Sequence, residues 1–249
     1  MNIVVAMKQI PDLQQIRIRN RQPVLDDVPL TFGNIDKNAL EAAVQLKEAA
    51  GGQVIVLCAG SAELEDTVKE ALAAGADEAR LVICEGELES SQSARLIAAA
   101  VKQMEAVDLI LFGEGSGDNY SSQVSSRVAQ ILGLPQVAYA NNIQAEGGAL
   151  RVTRSLEDCE EILELQLPAV VSVTADINEA RIPSVTQILK AGRKPKETLD
   201  IGQLGIALPA AGVETLSNLA PETERKQVVV KTVADLVKAL ETEGFGGRG

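Results

Sequence analysis

The residues best suited to chemistry form the segment 113–123, which follows a continuous apolar run and precedes a helical pattern. Its alternating glycines, Gly113, Gly115 and Gly117, allow a ligand to approach the backbone closely. From Asp118 to Gln123 the segment offers hydroxyl groups, amides and the free N–H groups of a helix start, which suit a phosphate. The segment therefore favours a nucleotide site over a plain strand-to-helix turn, although it matches neither the dinucleotide fingerprint nor a P-loop.

Two further short segments follow apolar runs and are expected at the same sheet edge. Lys8 comes after the first run and either faces a phosphate or lies in solvent, and on its own the solvated interpretation is favoured. Residues Ala59, Gly60 and Ser61 form a small-residue turn against which an adenine or a ribose can lie. An ordinary helix start explains this turn equally well.

Charged and apolar clusters elsewhere allow simpler interpretations. Four carboxylates at positions 157, 158, 160 and 161 would permit paired acid–base chemistry, but a turn before an alternating strand favours a solvated loop. A basic run favours a protein partner over nucleic acid, because the protein as a whole is acidic. This run comprises Lys190, Arg193, Lys194 and Lys196. Apolar residues precede it and fit either an exposed anchor or a short buried helix; they are Ile182, Val185, Ile188 and Leu189.

The elements that must position these residues alternate between strands and helices. Continuous apolar runs at 3–7, 54–59, 81–84 and 109–112 are typical of strands buried on both faces of a parallel sheet. Helical patterns lie between them, with Asp36 and Ser61 as candidate caps and further helices from about Ser91 and after Asp118. The alternation predicts a doubly wound, mainly parallel α/β sheet of the Rossmann-like type, with ligands at the carboxyl ends of its strands.

The second half of the chain has a different pattern. Runs at 152–154, 162–167 and 169–173, with a turn at Gly147 and Gly148, predict antiparallel strands added to the sheet. Residues 200–226 have little periodicity and predict an extended arm. A last helix fits the apolar spacing of residues 233–240.

Composition excludes several classes of function. The chain has 249 residues, a net charge of −12, no His and 2% aromatic residues. Without His there is no imidazole base and no His-ligated metal, so we expect no catalytic acid–base residues and no metal site. The acidic balance disfavours nucleic acid and anionic membranes. The three widely spaced cysteines, an N-terminal apolar run too short for a signal peptide and the lack of a membrane-length apolar stretch predict a soluble, cytoplasmic protein.

Several of these segments together resemble a known family. The stretches 4–12, 71–77 and 108–113 and, most specifically, the residues from 167 to 191 resemble the beta subunit of an electron transfer flavoprotein. Within this family, the pattern Gly-x-Gly-Ser-x-Asp-x-Tyr-x-x-Gln-Val at 113–124 is similar to the branch associated with carnitine metabolism and nitrogen fixation.

The resemblance implies a heterodimeric electron carrier rather than an enzyme. The alpha subunit would carry the redox FAD, and this chain would bind AMP, or a second FAD if it is of the bifurcating type. The implied nucleotide-binding residues are Ala6, Lys8, Ala59, Gly60, Gly113, Asp118, Ser121, Ser122, Gln123 and Val124. A recognition loop at 181–191, with Val185 as anchor beside Ile188 and Leu189, would dock an acyl-CoA-type or other dehydrogenase. Glu161 matches a position that contacts the mobile flavin domain.

The same resemblance implies a nucleotide-binding α/β domain at 1–190 and a C-terminal arm and helix at 191–249 that pack on the alpha subunit. Two departures favour AMP over FAD. Bifurcating members carry Asn-Pro-x-Asp where this chain has Gly33-Asn34-Ile35-Asp36, and they carry an Arg where it has Glu114. From another functional class, an adenine-nucleotide-dependent enzyme or a nucleotide-sensing domain remains the alternative.

Overall fold

The computed structural model describes residues 1–222 and 227–245. One compact unit comprises residues 1–17 and 24–216, and a second comprises 18–23 and the described part of 217–249. Of the arm predicted for 191–249, positions 223–226 and 246–249 lie outside the described residues.

The described residues form thirteen strands and six α-helices. The strands are β1 (Asn2–Ala6), β2 (Gln9–Pro11), β3 (Arg17–Arg19), β4 (Gln22–Val24), β5 (Leu30–Phe32), β6 (Gln53–Gly60), β7 (Glu78–Ile83), β8 (Leu109–Gly113), β9 (Gln136–Glu146), β10 (Ala149–Ser155), β11 (Glu160–Gln166), β12 (Ala169–Val173) and β13 (Lys196–Asp200). The helices are α1 (Asn34–Ala50), α2 (Leu64–Ala73), α3 (Ser90–Lys102), α4 (Val124–Leu132), α5 (Val185–Ala191) and α6 (Val233–Thr242), with a 3-10 turn at Ala175–Ile177.

The centre of the first unit is the predicted parallel sheet. Its nine strands run in the order β11-β10-β9-β12-β8-β1-β6-β7-β13. The four strands predicted from apolar runs, β8, β1, β6 and β7, are adjacent and parallel, which confirms the predicted fold class. Alternate residues of β1 face the two helical layers: Ile3 and Val5 pack with α1 and α2, and Val4 and Ala6 with α3 and α4. The carboxyl ends of these strands therefore meet between the two layers.

Part of the prediction for the second half is wrong. β9, β10 and β11 are antiparallel, and Gly147 and Gly148 turn the chain with φ of 57° and 90°. β12, however, inserts between β8 and β9 and runs parallel to both. Its five residues are all buried, and such continuous apolar runs belong to central strands covered on both faces. β13, which has no apolar pattern, adds to the other edge, parallel to β7.

Two helix starts also differ from the prediction. α1 begins at Asn34, so Asp36 lies in its first turn and is buried instead of capping it. The α2 helix begins at Leu64 with Glu63 as its N-terminal flanking residue, and Ser61 lies in the turn before it, where its carbonyl accepts the backbone N–H of Leu64 and its hydroxyl donates to Glu63 Oε2 at 3.3 Å. In both places a polar residue preceding an apolar pattern resembled a cap. Asp36 is instead held by the distant backbone of Lys8, and Ser61 belongs to the turn before its helix.

The described residues of the second unit include α6, and none of the residues of this helix is buried. Thr232 caps this helix by accepting a hydrogen bond from the backbone N–H of Asp235 at 3.2 Å. No helix in the described part of the chain has the length and apolar character that crossing a membrane requires.

Candidate functional site

The predicted nucleotide residues converge on one cleft of the first unit. Its walls are the carboxyl ends of β1, β6 and β8 and the loop before α4. Eight of the ten predicted residues line it, namely Ala6, Lys8, Ala59, Gly113, Ser121, Ser122, Gln123 and Val124. Gly60 and Asp118 stand just outside the lining. Gly60 ends β6, and its carbonyl accepts a hydrogen bond from the backbone of Cys84 at 2.8 Å.

The loop from β8 to α4 is tightly folded by its own residues. Ser116 accepts the backbone N–H of Tyr120 at 3.0 Å and donates its hydroxyl to Asn119 Oδ1 at 3.0 Å. Tyr120 and Ser122 adopt left-handed φ angles of 44° and 53°, which few non-glycine residues do. A Cβ at Gly115 would lie only 3.0 Å from the Tyr120 ring, so a larger residue there would have to displace that ring. This geometry brings both the loop backbone and its hydroxyl groups to the cleft.

The start of α4 supplies N–H donors for an anion. Gln123 precedes the helix but makes no side-chain cap, so the first-turn N–H groups have no partner within the helix or from that cap. Ser121 and Ser90 share a hydroxyl–hydroxyl hydrogen bond of 2.8 Å, which joins the loop to α3 across the cleft. A nine-residue helix whose N-terminus faces this cleft is suited to a phosphate.

The side-chain oxygen of Gln123 is already occupied by a hydrogen-bonding partner within the protein. Its Oε1 accepts hydrogen bonds from Arg127 Nε at 3.1 Å and from Arg127 Nη2 at 2.8 Å. The Gln123 amide group still has its two N–H donors, and the arginine one turn along the helix fixes its orientation. No role for Arg127 was predicted from the sequence, although residues four apart on a helix, such as Gln123 and Arg127, lie close enough to interact.

The charges around the cleft are largely compensated. Lys8 Nζ lies 2.5 Å from Asp118 Oδ2, so the predicted lysine is paired with the predicted aspartate. Burial alone would raise the pKa of Asp118, but hydrogen bonds from Lys8 and Ser116 hold that pKa below its ordinary value. Glu114 accepts the Tyr120 hydroxyl at 2.5 Å, which raises the pKa of Tyr120 to about 12. A bound anion would therefore depend mainly on N–H and hydroxyl donors.

Asp36 is a buried carboxyl in the wall of the cleft. Its Oδ2 accepts the backbone N–H of Lys8 at 2.9 Å, and the backbone of Gly113 also hydrogen-bonds to it. Burial raises the pKa of Asp36 to about 7 against these favourable contacts. Asp36 therefore joins the ends of β1 and β8. The sequence suggested only a helix cap, because Lys8 and Gly113 are distant along the chain.

The predicted docking residues lie on α5 and the loop before it. Their exposed fractions are 93% for Ile182, 74% for Val185, 56% for Ile188 and 74% for Leu189. Of the two interpretations left open by the sequence, these values favour exposed apolar side chains over a buried helix. Ser184 and Gln187 form a capping box that begins the helix.

The neighbouring basic run is only partly available to a partner. Lys190, Arg193 and Lys196 are exposed. Lys194 instead donates hydrogen bonds to the carbonyl oxygens of Leu72 at 2.7 Å and Ala76 at 2.5 Å, near the end of α2. Burial lowers its pKa. Lys194 therefore fixes the segment after α5 to α2.

Glu161 lies on β11, an edge strand of the sheet. Its Oε2 is 2.6 Å from Arg154 Nη2 on the adjacent strand β10. Any contact between Glu161 and a flavin domain would have to compete with this ion pair or include it. The described residues contain no cluster of three or more His, Cys, Asp or Glu side chains that could hold a metal ion.

Comparison with known proteins connects this chain to one family. The model of the electron transfer flavoprotein domain matches residues 24–204. A protein from Thermoanaerobacterium thermosaccharolyticum named electron transfer flavoprotein subunit beta is 32% identical over 235 residues, which cover 90% of each chain. These matches confirm the resemblance seen in the sequence. The chain belongs to the electron transfer flavoprotein family, and within it to the beta subunits.

Proposed function

We propose that this chain is the nucleotide-binding subunit of a heterodimeric electron carrier. A flavin-bearing alpha subunit accepts electrons from a dehydrogenase and passes them to an acceptor, and this chain holds the flavin subunit and offers the docking surface. The observation that carries the proposal is the cleft at the carboxyl ends of β1, β6 and β8, which combines an uncapped helix start with a rim of serines. Such a cleft binds and orients a ligand without acid–base chemistry of its own.

We assign AMP as the ligand of the cleft. The Ser121 side chain and the N–H groups at the start of α4 would hold its phosphate beside the Lys8–Asp118 ion pair, and the small residues Ala6 and Ala59 would lie against the rest. A dinucleotide would bring a second phosphate to a wall that contains the carboxyl groups of Glu114 and Asp36, with Lys8 as the sole cation among the described lining residues. This disfavours a second FAD, and with it bifurcation.

The partner surfaces follow from the exposed apolar side chains. The side chains Val185, Ile188 and Leu189 would contact the dehydrogenase, where burial supplies affinity and the nearby basic residues supply orientation. The apolar side chains of α6 would pack on the alpha subunit; they are Val233, Leu236, Val237 and Leu240, all exposed in this chain. The relative from Thermoanaerobacterium thermosaccharolyticum is itself named as a subunit, which supports an obligate partner.

Co-expression with the alpha subunit tests the electron-carrier role. We expect a yellow complex whose flavin is reduced by a dehydrogenase and its substrate. This chain alone should neither hydrolyse ATP nor transfer adenylate. ATP turnover by the isolated chain would instead support the alternative of an adenine-nucleotide-dependent enzyme.

A further inference from the structure

Arg181, in the segment before α5, fastens that segment to α1. Its Nε lies 2.6 Å from Glu41 Oε2, and its Nη2 lies 3.0 Å from Glu41 Oε1. The same guanidinium reaches Glu48, with Nη1 at 2.8 Å from Oε1 and Nη2 at 3.1 Å from Oε2. The backbone N–H of Arg181 also donates to Glu41 Oε2 at 3.3 Å. One side chain thus bridges two carboxylates on the same face of α1.

Burial of Glu41 makes its contact with Arg181 necessary. Glu41 is only 5% exposed, so its charge requires a partner. Hydrogen bonds from Arg181 overcome the effect of burial and hold the pKa of Glu41 below its ordinary value. The same hydrogen bonds, which Glu48 and Glu41 accept, raise the pKa of Arg181. A planar guanidinium satisfies both carboxylates at once, which a lysine ammonium cannot do with the same geometry.

A second contact fixes the same segment. Asn38 Nδ2 donates to the carbonyl of Asn178 at 2.7 Å, and Asn178 Nδ2 donates to the carbonyl of Asn38 at 3.1 Å. The α1 helix therefore holds the chain at both Asn178 and Arg181. By contrast, α5 buries only Ala191 of its own residues. Although α5 packs against α2, its single buried residue leaves these flanking contacts, and those of Lys194 after it, to help fix its position.

We infer that Arg181 is a positioning residue for dehydrogenase docking: by bridging Glu41 and Glu48 it holds Val185 and Leu189 in the orientation that the partner meets. The inference rests on the proposed docking function of this surface. A rigid surface binds with less loss of conformational freedom than a mobile one. Loosening the segment should therefore weaken docking without changing electron transfer inside the complex once it has formed.

The test uses the intact heterodimer and a set of matched variants. Arg181→Lys keeps the positive charge but loses the planar guanidinium that contacts both carboxylates. Arg181→Ala leaves the buried Glu41 charge without its partner, which can prevent folding. The double variant Glu41→Gln/Arg181→Gln removes both charges and so tests the loss of the ion pair without an unpaired buried charge. Arg80→Gln is the control, since Arg80 Nε likewise contacts two glutamates, Glu78 Oε1 at 3.3 Å on its own strand β7 and Glu197 Oε2 at 3.1 Å on the neighbouring edge strand β13.

Two readouts separate positioning from general stability. Hydrogen exchange of residues 176–192 should be faster in the Arg181 variants and unchanged in Arg80→Gln. With an acyl-CoA dehydrogenase and its acyl-CoA substrate as the probe, the KM for the heterodimer should rise about tenfold in Arg181→Ala and in the double variant, at nearly constant kcat. Arg181→Lys should give an intermediate KM.

The outcomes distinguish this inference from the proposed function. If Val185→Asp raises the KM but the Arg181 variants change neither exchange nor KM, Arg181 does not position the surface. A fall in kcat at constant KM would also overturn the inference. If wild type is not reduced by the probe, or Val185→Asp has no effect, the docking proposal fails instead. If the docking proposal fails and hydrogen exchange of residues 176–192 is also unchanged in the Arg181 variants, then Arg181 does not order this segment either.

Discussion

At the scale of single residues, the buried carboxyl of Asp36 makes stability depend on pH. Its pKa is raised from 3.8 to about 7 in the folded protein. Between these values the folded state keeps a proton that the unfolded state has released, so the free energy of unfolding falls as pH rises towards 7. The stabilising contribution is complete below the unfolded pKa and lost above the folded one.

We therefore expect Asp36→Asn to remove part of this pH dependence. Urea unfolding between about pH 5 and about pH 8 should show a smaller loss of stability for the variant than for wild type. Parallel curves for the two proteins would mean that Asp36 titrates normally and is not buried as described.

Gly113 gives a second prediction at this scale. A Cβ at Gly113 would lie 2.7 Å from Asp36 Oδ1 and 3.1 Å from the backbone of Ile35. Gly113→Ala must therefore displace the wall of the cleft, at a cost of about 1–3 kcal/mol, and should reduce retained nucleotide. Gly192→Ala is the control, because a Cβ there meets nothing within 4 Å. Equal nucleotide content and melting temperature in both variants would contradict the close contact between Gly113 and Asp36.

At the scale of secondary-structure elements, α5 carries the predicted docking surface. Val185→Asp places a charge at the centre of its apolar side chains, which should raise the KM for the dehydrogenase while chemical reduction of the flavin and binding of the alpha subunit stay unchanged. The association rate should fall with salt, because Lys190, Arg193 and Lys196 are exposed. An unchanged KM at every ionic strength would show that the dehydrogenase docks elsewhere.

Elements also show what the sequence can and cannot predict. The central strands were predictable because strands buried on both faces read as uninterrupted apolar runs, as in β1 and β8. The rule for carboxyl ends then indicated the loops that follow these strands, and the family resemblance supplied the individual nucleotide residues. The direction of β12, the addition of β13 and the burial of Asp36 depend on contacts with distant segments. No local pattern reports such contacts.

At the scale of the whole molecule, α6 exposes an apolar face that is suited to binding a partner subunit. We expect Leu236→Glu/Leu240→Glu to prevent heterodimer formation, because both side chains belong to an apolar face that this chain leaves exposed. The variant chain should still fold, since α6 contributes no buried residues. Size-exclusion chromatography of the co-expressed subunits measures the effect, and an intact heterodimer would contradict this role for α6.

We propose that this beta subunit holds AMP while the redox flavin resides in the alpha subunit. Denaturing the purified heterodimer and quantifying the nucleotides released tests this directly. We expect one equivalent each of FAD and AMP. Two equivalents of FAD without AMP would contradict this proposal and would favour a bifurcating carrier, and a preparation that releases no AMP and no second flavin would show that the cleft is not a nucleotide site.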